Sequence, residues 1–189
     1  MSDFPRRHFI VGGQRSGKSR HAEQCARAWL AGAPGRRVTV VATALAGDAE
    51  MAARIEHHRR TRPPGFGTIE APWDPGAVLL ERGDPSELIV IDCLTLWVSQ
   101  VLMPPPGALV PDWGIVRERW LQALADRRDH GGPVVVVSNE IGWGLVPLGP
   151  QVRRVVDELG RLHQDTSRLC DWLTLMVAGQ AWGRAVEPV

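Results

Sequence analysis

The chain has 189 residues, a length that reads as a single domain over 1–189, able to bury its own core. Hydrophobic residues make up 44% and charged residues 23%, a balance that excludes disorder, collagen and coiled coil. With 22 basic against 21 acidic residues the formal charge is +1, which offers no bulk field for nucleic acid or an anionic membrane.

In chain order, Met1 to Arg7 lacks the apolar core of a signal peptide, and no 18-residue apolar run follows anywhere. A cytoplasmic protein without a membrane span is expected. The first apolar run, 8–11, leads into Gly12-Gly13-Gln14-Arg15-Ser16-Gly17-Lys18-Ser19, a fit to G-x-x-x-x-G-K-[ST]. A helix-like stretch, 18–31, leaves it. Strand before and helix after is the context this motif needs. Its glycines turn backbone N–H groups toward phosphate oxygens, and the helix N-terminus adds partial positive charge. Lys18 is expected on the β- and γ-phosphates of a nucleoside triphosphate and Ser19 on Mg²⁺. Of the 22 basic residues 21 are Arg, so Lys18 is the only lysine. A flat guanidinium fork is a poor substitute in a site shaped for a point charge.

The runs at 38–42, 88–92, 134–137 and 173–177 are continuous and β-branched rather than alternating. Strands buried on both faces have that composition, which predicts a mostly parallel sheet with helices on both faces, an α/β P-loop NTPase-like fold. Helices are expected at about 18–31, 48–61, 94–102, 113–129 and 150–170, and loops at 62–67 and 103–107. Asp92 closes the strand over 88–91, at the end where open α/β sheets bind ligands, and is the expected carboxylate partner of Mg²⁺. Cys25, Cys93 and Cys170 stand far apart in apolar stretches and form no CxxC pair, so they read as core residues.

The helix expected at 48–61 carries two adjacent histidines. On a 3.6 period His58 shares a face with Met51, Arg54 and Ile55, whereas His57 lines up with Glu50 and Ala53. Adjacent helical residues diverge by about 100°, so only one imidazole can serve a given site, and spacing favours His58. A boundary histidine satisfied by its neighbours is the competing reading on spacing alone. Arg59, Arg60 and Arg62 nearby would depress an imidazole's pKa and hold phosphate oxygens, which suits a histidine attacking phosphorus.

With these pieces assembled, the chain resembles the bifunctional adenosylcobinamide kinase / adenosylcobinamide-phosphate guanylyltransferase family of cobalamin synthesis. The resemblance runs over nearly the whole length. It rests on Gly12 to Glu23, Ala42-Thr43-Ala44, Asp48 to Arg59, Arg62-Pro63, Thr68-Ile69-Glu70, Ile91 to Trp97 and Ser138-Asn139-Glu140 through Pro147. It implies two reactions: ATP or GTP phosphorylates the aminopropanol hydroxyl of adenosylcobinamide, and GTP then guanylylates a histidine that passes GMP to adenosylcobinamide phosphate. By motif position that histidine is His58. The implied nucleotide contacts are the phosphate loop, Thr43, Ala44, Leu45, Arg59, Arg60, Thr61, Arg62, Glu70 and Asp92. A homo-oligomer is also implied. Departures from the family's pattern fall at Phe66, Gln100, Val155, Val156, His163 and the C-terminal tail, none of them in the nucleotide motifs.

Two other functions compete. An unrelated P-loop small-molecule kinase accounts for the loop and Asp92 but gives His58 no task. A nucleotide-driven motor on nucleic acid is disfavoured by the near-neutral charge and the lack of basic-aromatic interleaving.

Overall fold

The continuous β-branched runs form the centre of one sheet. A computed structural model describes residues 4–45, 53 and 65–187. Strands β1 (Arg7–Gly12), β2 (Arg37–Ala42), β3 (Phe66–Glu70), β4 (Glu87–Asp92), β5 (Val134–Asn139), β6 (Trp172–Val177) and β7 (Gln180–Ala185) align in the order β3-β2-β4-β5-β1-β6-β7. Every pairing is parallel except β6 with β7. Five helices lie among the described residues: α1 (Lys18–Ala31), α2 (Pro75–Glu81), α3 (Leu94–Leu102), α4 (Trp113–Asp126) and α5 (Pro150–Leu169).

Strand side chains alternate between two separate cores. Phe9, Ile89, Ile91, Val134 and Val136 face the layer built by α2, α3, α4 and α5. Ile10, Leu88, Val90, Val135 and Val137 face the other side, where Ala22, Ala26 and Trp29 of α1 cover them. Both faces of β5 are therefore apolar, which explains its run of four valines. The four-helix layer is anchored by Trp97 and Trp120, both fully buried, with each indole N–H satisfied: Trp97 donates to the Trp73 carbonyl at 2.9 Å and Trp120 to Thr166 Oγ1 at 3.0 Å.

The expected central strands and the helices at 18–31, 94–102, 113–129 and 150–170 are present, the third ending at Asp126. Three elements go beyond the sequence reading. Strand β3 includes residues 66 and 67, which the sequence placed in a loop, and α2 and β7 had no counterpart. The sheet edges explain two of these: β3 is largely exposed and β7 is exposed at all six positions, so neither carries a buried apolar run. The helix expected at 48–61 lies outside the described residues apart from Ala53, which is helical.

Candidate active site

Where β1 ends, the chain turns through the glycine-rich loop into α1. Gly12 is required by packing: a Cβ there would overlap the Met176 carbonyl oxygen and lie 2.8 Å from Ser16 Oγ. Gly17 adopts φ +101° at the N-cap of α1, a conformation L side chains rarely adopt. The loop is held by one internal hydrogen bond and braced by two neighbouring segments. Ser16 N donates to Gly13 O at 3.2 Å, Gly179 N from the β6–β7 turn to Ser16 O at 3.0 Å, and Glu140 N to Gly12 O at 3.0 Å. Gly13, Gln14, Arg15 and Ser19 are exposed, while Ser16 is buried and its hydroxyl has no hydrogen-bond partner among the described residues.

Lys18 is only 7% exposed, with Nζ donating to Gly13 O at 2.7 Å. Burial lowers its pKa, and the nearby Cys93 and Asp92 oppose that shift. Cys93 is itself pushed up to about 11, chiefly by burial, and stays a thiol at neutral pH, so Asp92 is the anion that Lys18 feels. An ammonium group held in a low-dielectric loop interacts strongly with added anionic oxygens.

Asp92 ends β4 in register with Ala42 of β2, and Ala42 is in register with Glu70 of β3. The three residues form a row across the C-terminal edge of the sheet. At the ordinary strand spacing, β5 is about 5 Å from β1, β4 about 10 Å and β3 about 19 Å. Asp92 therefore stands two strands from the phosphate loop, whereas the exposed Glu70 lies at the far end of the same edge. Thr43 is fully buried; its hydroxyl donates to Cys93 O at 2.7 Å and accepts from Cys93 N at 2.9 Å. With its hydroxyl so engaged, Thr43 acts on this edge by fixing the ends of β2 and β4 together.

The residues after Thr43 are held by a side chain that the sequence marked only as a departure. Gln100 on α3 accepts from Leu45 N at 2.7 Å and donates to Thr43 O at 2.7 Å and to Pro72 O at 3.2 Å. A second missed group is a polar chain beneath the loop: Thr95 Oγ1 lies 3.0 Å from Ser138 Oγ, which lies 2.7 Å from His163 Nε2. Of these, Thr95 and Ser138 sit inside quoted motif pieces, but no spacing rule links positions 95, 138 and 163. The structure brings together the phosphate loop, Thr43, Ala44, Leu45, Glu70 and Asp92 along one sheet edge. His58, Arg59, Arg60, Thr61 and Arg62 lie outside the described residues, as does His57.

A strand, a G-x-x-x-x-G-K-S turn, a helix N-terminus and a carboxylate on the next parallel strand but one define a P-loop nucleotide-binding protein. Among its members, this chain belongs to the cobinamide kinase / cobinamide phosphate guanyltransferase family, whose model matches residues 8–183. It is 41% identical over 184 residues to the bifunctional adenosylcobalamin biosynthesis protein CobP of Pseudomonas aeruginosa, covering 97% of this chain and 99% of that one. It is 35% identical to the CobU protein of the same description from Escherichia coli, covering 90% and 95%. The CobU of Salmonella typhimurium is 33% identical, with the same coverage of 90% and 95%. Among solved structures, an ATPase domain aligns at a TM-score of 0.48 and 14% identity, over 90% of this chain and 68% of that one. The flagellar accessory protein FlaH of Methanocaldococcus jannaschii aligns at 0.45 and 13%, over 96% and 78%.

Proposed function

We propose that this enzyme phosphorylates adenosylcobinamide with ATP or GTP and then transfers GMP from GTP to the resulting phosphate through a guanylylated His58. The observation that carries the reading is the buried Lys18 in a braced phosphate loop, in a chain that matches the family over 8–183. In the first reaction the acceptor hydroxyl attacks the γ-phosphorus and a nucleoside diphosphate leaves. In the second, a His58 ring nitrogen attacks the α-phosphorus of GTP, forming a P–N bond as the α–β bridging P–O bond breaks. Pyrophosphate departs with the electron pair, beside Lys18. A phosphate oxygen of the acceptor then displaces the histidine, giving adenosylcobinamide-GDP. Arg59, Arg60, Thr61 and Arg62 would steady the α-phosphate, and Thr43 to Leu45 and Glu70 the nucleoside end.

Mg²⁺ fits the residues present. Ser19 is exposed in the first turn of α1 and Asp92 closes β4, so the site offers a hydroxyl and a carboxylate, both hard oxygen donors. When bound, Mg²⁺ supplies positive charge to the phosphate oxygens. No described helix is long and apolar enough to cross a membrane. We extend the proposal to a cytoplasmic homo-oligomer; the exposed strand β7, with Trp182 56% exposed, supports a self-associating edge.

The covalent step is tested by incubating the protein with GTP labelled in the α position. Label should survive denaturation and be released by acid, as phosphoramidates are. His58→Ala should lose labelling and GMP transfer but keep cobinamide phosphorylation, and His57→Ala should keep both. Labelling lost in His57→Ala and retained in His58→Ala would overturn the assignment, and no label in the wild type would remove the covalent route.

A further inference from the structure

At the end of β5, one residue beyond the strand, Glu140 is placed against the phosphate loop by its own backbone: its N–H donates to Gly12 O at 3.0 Å. Strand β5 is the direct neighbour of β1, with Gly12 opposite Asn139. Of the carboxylates at the C-terminal ends of β3, β4 and β5, Glu140 is therefore nearest the loop in strand order, by about 5 Å against roughly 10 Å for Asp92 and 19 Å for Glu70. Its Oε1 is held by Gly142 N at 2.8 Å. Its Oε2 makes a 3.6 Å approach to His163 Nδ1, too long for a hydrogen bond, and the side chain remains 23% exposed.

The other side of this pair is buried. His163 is 8% exposed, and its Nδ1 has no hydrogen-bond partner among the described residues. Its Nε2 lies 2.7 Å from Ser138 Oγ, which lies 3.0 Å from Thr95 Oγ1, and Thr95 Oγ1 accepts from Asn139 N at 2.8 Å. Donation from Thr95 to Ser138, and from Ser138 to His163 Nε2, uses the two shorter contacts of this chain. The proton of the neutral imidazole is then on Nδ1, facing the Glu140 carboxylate. The reverse direction would aim an imidazole lone pair at a carboxylate and leave Thr95 the 3.4 Å contact to Asn139 O. Burial lowers the His163 pKa, Glu140 opposing, which agrees with a neutral ring.

Resting on the kinase half of the proposed function, we infer that Glu140 is the carboxylate that receives the acceptor's hydroxyl proton, with His163 as a positioning residue that acts on it electrostatically across 3.6 Å. As the hydroxyl oxygen bonds to the γ-phosphorus, the bond from that phosphorus to the β–γ bridging oxygen breaks, leaving its electron pair on the nucleoside diphosphate. The hydroxyl proton passes to Glu140 Oε2 and, through the exposed side of the carboxylate, to water. Guanylylation of a neutral histidine does not use this proton transfer, so the two half-reactions should separate at Glu140.

The test compares wild type with Glu140→Gln, which keeps an acceptor for Gly142 N and loses the base. Transfer of γ-labelled phosphate to cobinamide and protein labelling by α-labelled GTP are measured side by side. The ratio of phosphorylation kcat to labelling rate should fall about 100-fold or more, the low end of general-base contributions, with the acceptor KM within threefold. His163→Leu should lower the same ratio about 5- to 20-fold at unchanged KM, with its melting curve confirming the fold. An unchanged ratio in Glu140→Gln, whether both rates persist or both fall together, overturns the inference. A wild type that phosphorylates nothing removes the underlying reading instead, before any variant is made.

Discussion

Lysine and histidine side chains in this protein show what burial does to charge. Lys18 is legible in the sequence because its motif fixes its neighbours within eight positions, and the structure adds that it is buried with its ammonium on Gly13 O. His8 had no sequence signal. It is 4% exposed on β1, with Nε2 2.8 Å from Thr174 Oγ1, and its pKa is pushed down to about 4 by burial, with His21 adding to the shift. Above pH 6.5 the ring is neutral folded or unfolded. As pH falls from 6.5 toward 4, the unfolded chain takes up a proton that the folded chain refuses. Stability should therefore drop, by about 2–3 kcal/mol at pH 4.5 from this residue. Urea unfolding at pH 7 and pH 4.5 checks this: His8→Gln should show a smaller loss between the two pH values than wild type. Equal losses would mean that His8 does not contribute.

Elements at the centre of the sheet were readable and those at its edges were not. The runs in β1, β4 and β5 are apolar at consecutive positions because each face meets a different core. Phe66–Glu70 and Gln180–Ala185 are strands by virtue of pairing with one neighbour, and an exposed edge leaves little hydrophobic signal. The short helix α2 is set by Asp74, which accepts from Ala77 N at 2.9 Å, and by Pro75 in its first turn. The same limit hid the clamp on the site: Gln100 joins α3 to backbone groups 28 to 57 residues away, contacts that no local pattern encodes. Gln100→Ala removes three partly buried hydrogen bonds and should cost about 1–3 kcal/mol of folding stability. It should also weaken nucleotide binding by freeing Thr43 to Leu45. A change in unfolding free energy below about 0.5 kcal/mol would show that the clamp is energetically idle.

For the molecule as a whole, the parallel arrangement gathers the loop after β1, the carboxylates closing β3 and β4 and Glu140 beyond β5 at one edge, while α1 and the four-helix layer shield the rest of the central strands. Only one phosphate loop is present in the sequence, so the two half-reactions of the proposed function have a single loop to share. The most direct test is Lys18→Ala, assayed for γ-phosphoryl transfer to cobinamide and for covalent labelling by α-labelled GTP, with a melting curve to confirm folding. Losing a charged contact to the phosphates is worth about 1.5–3 kcal/mol. Both activities should fall together, each by roughly 10- to 150-fold. Guanylylation that persisted at the wild-type rate while phosphorylation collapsed would contradict a single shared site.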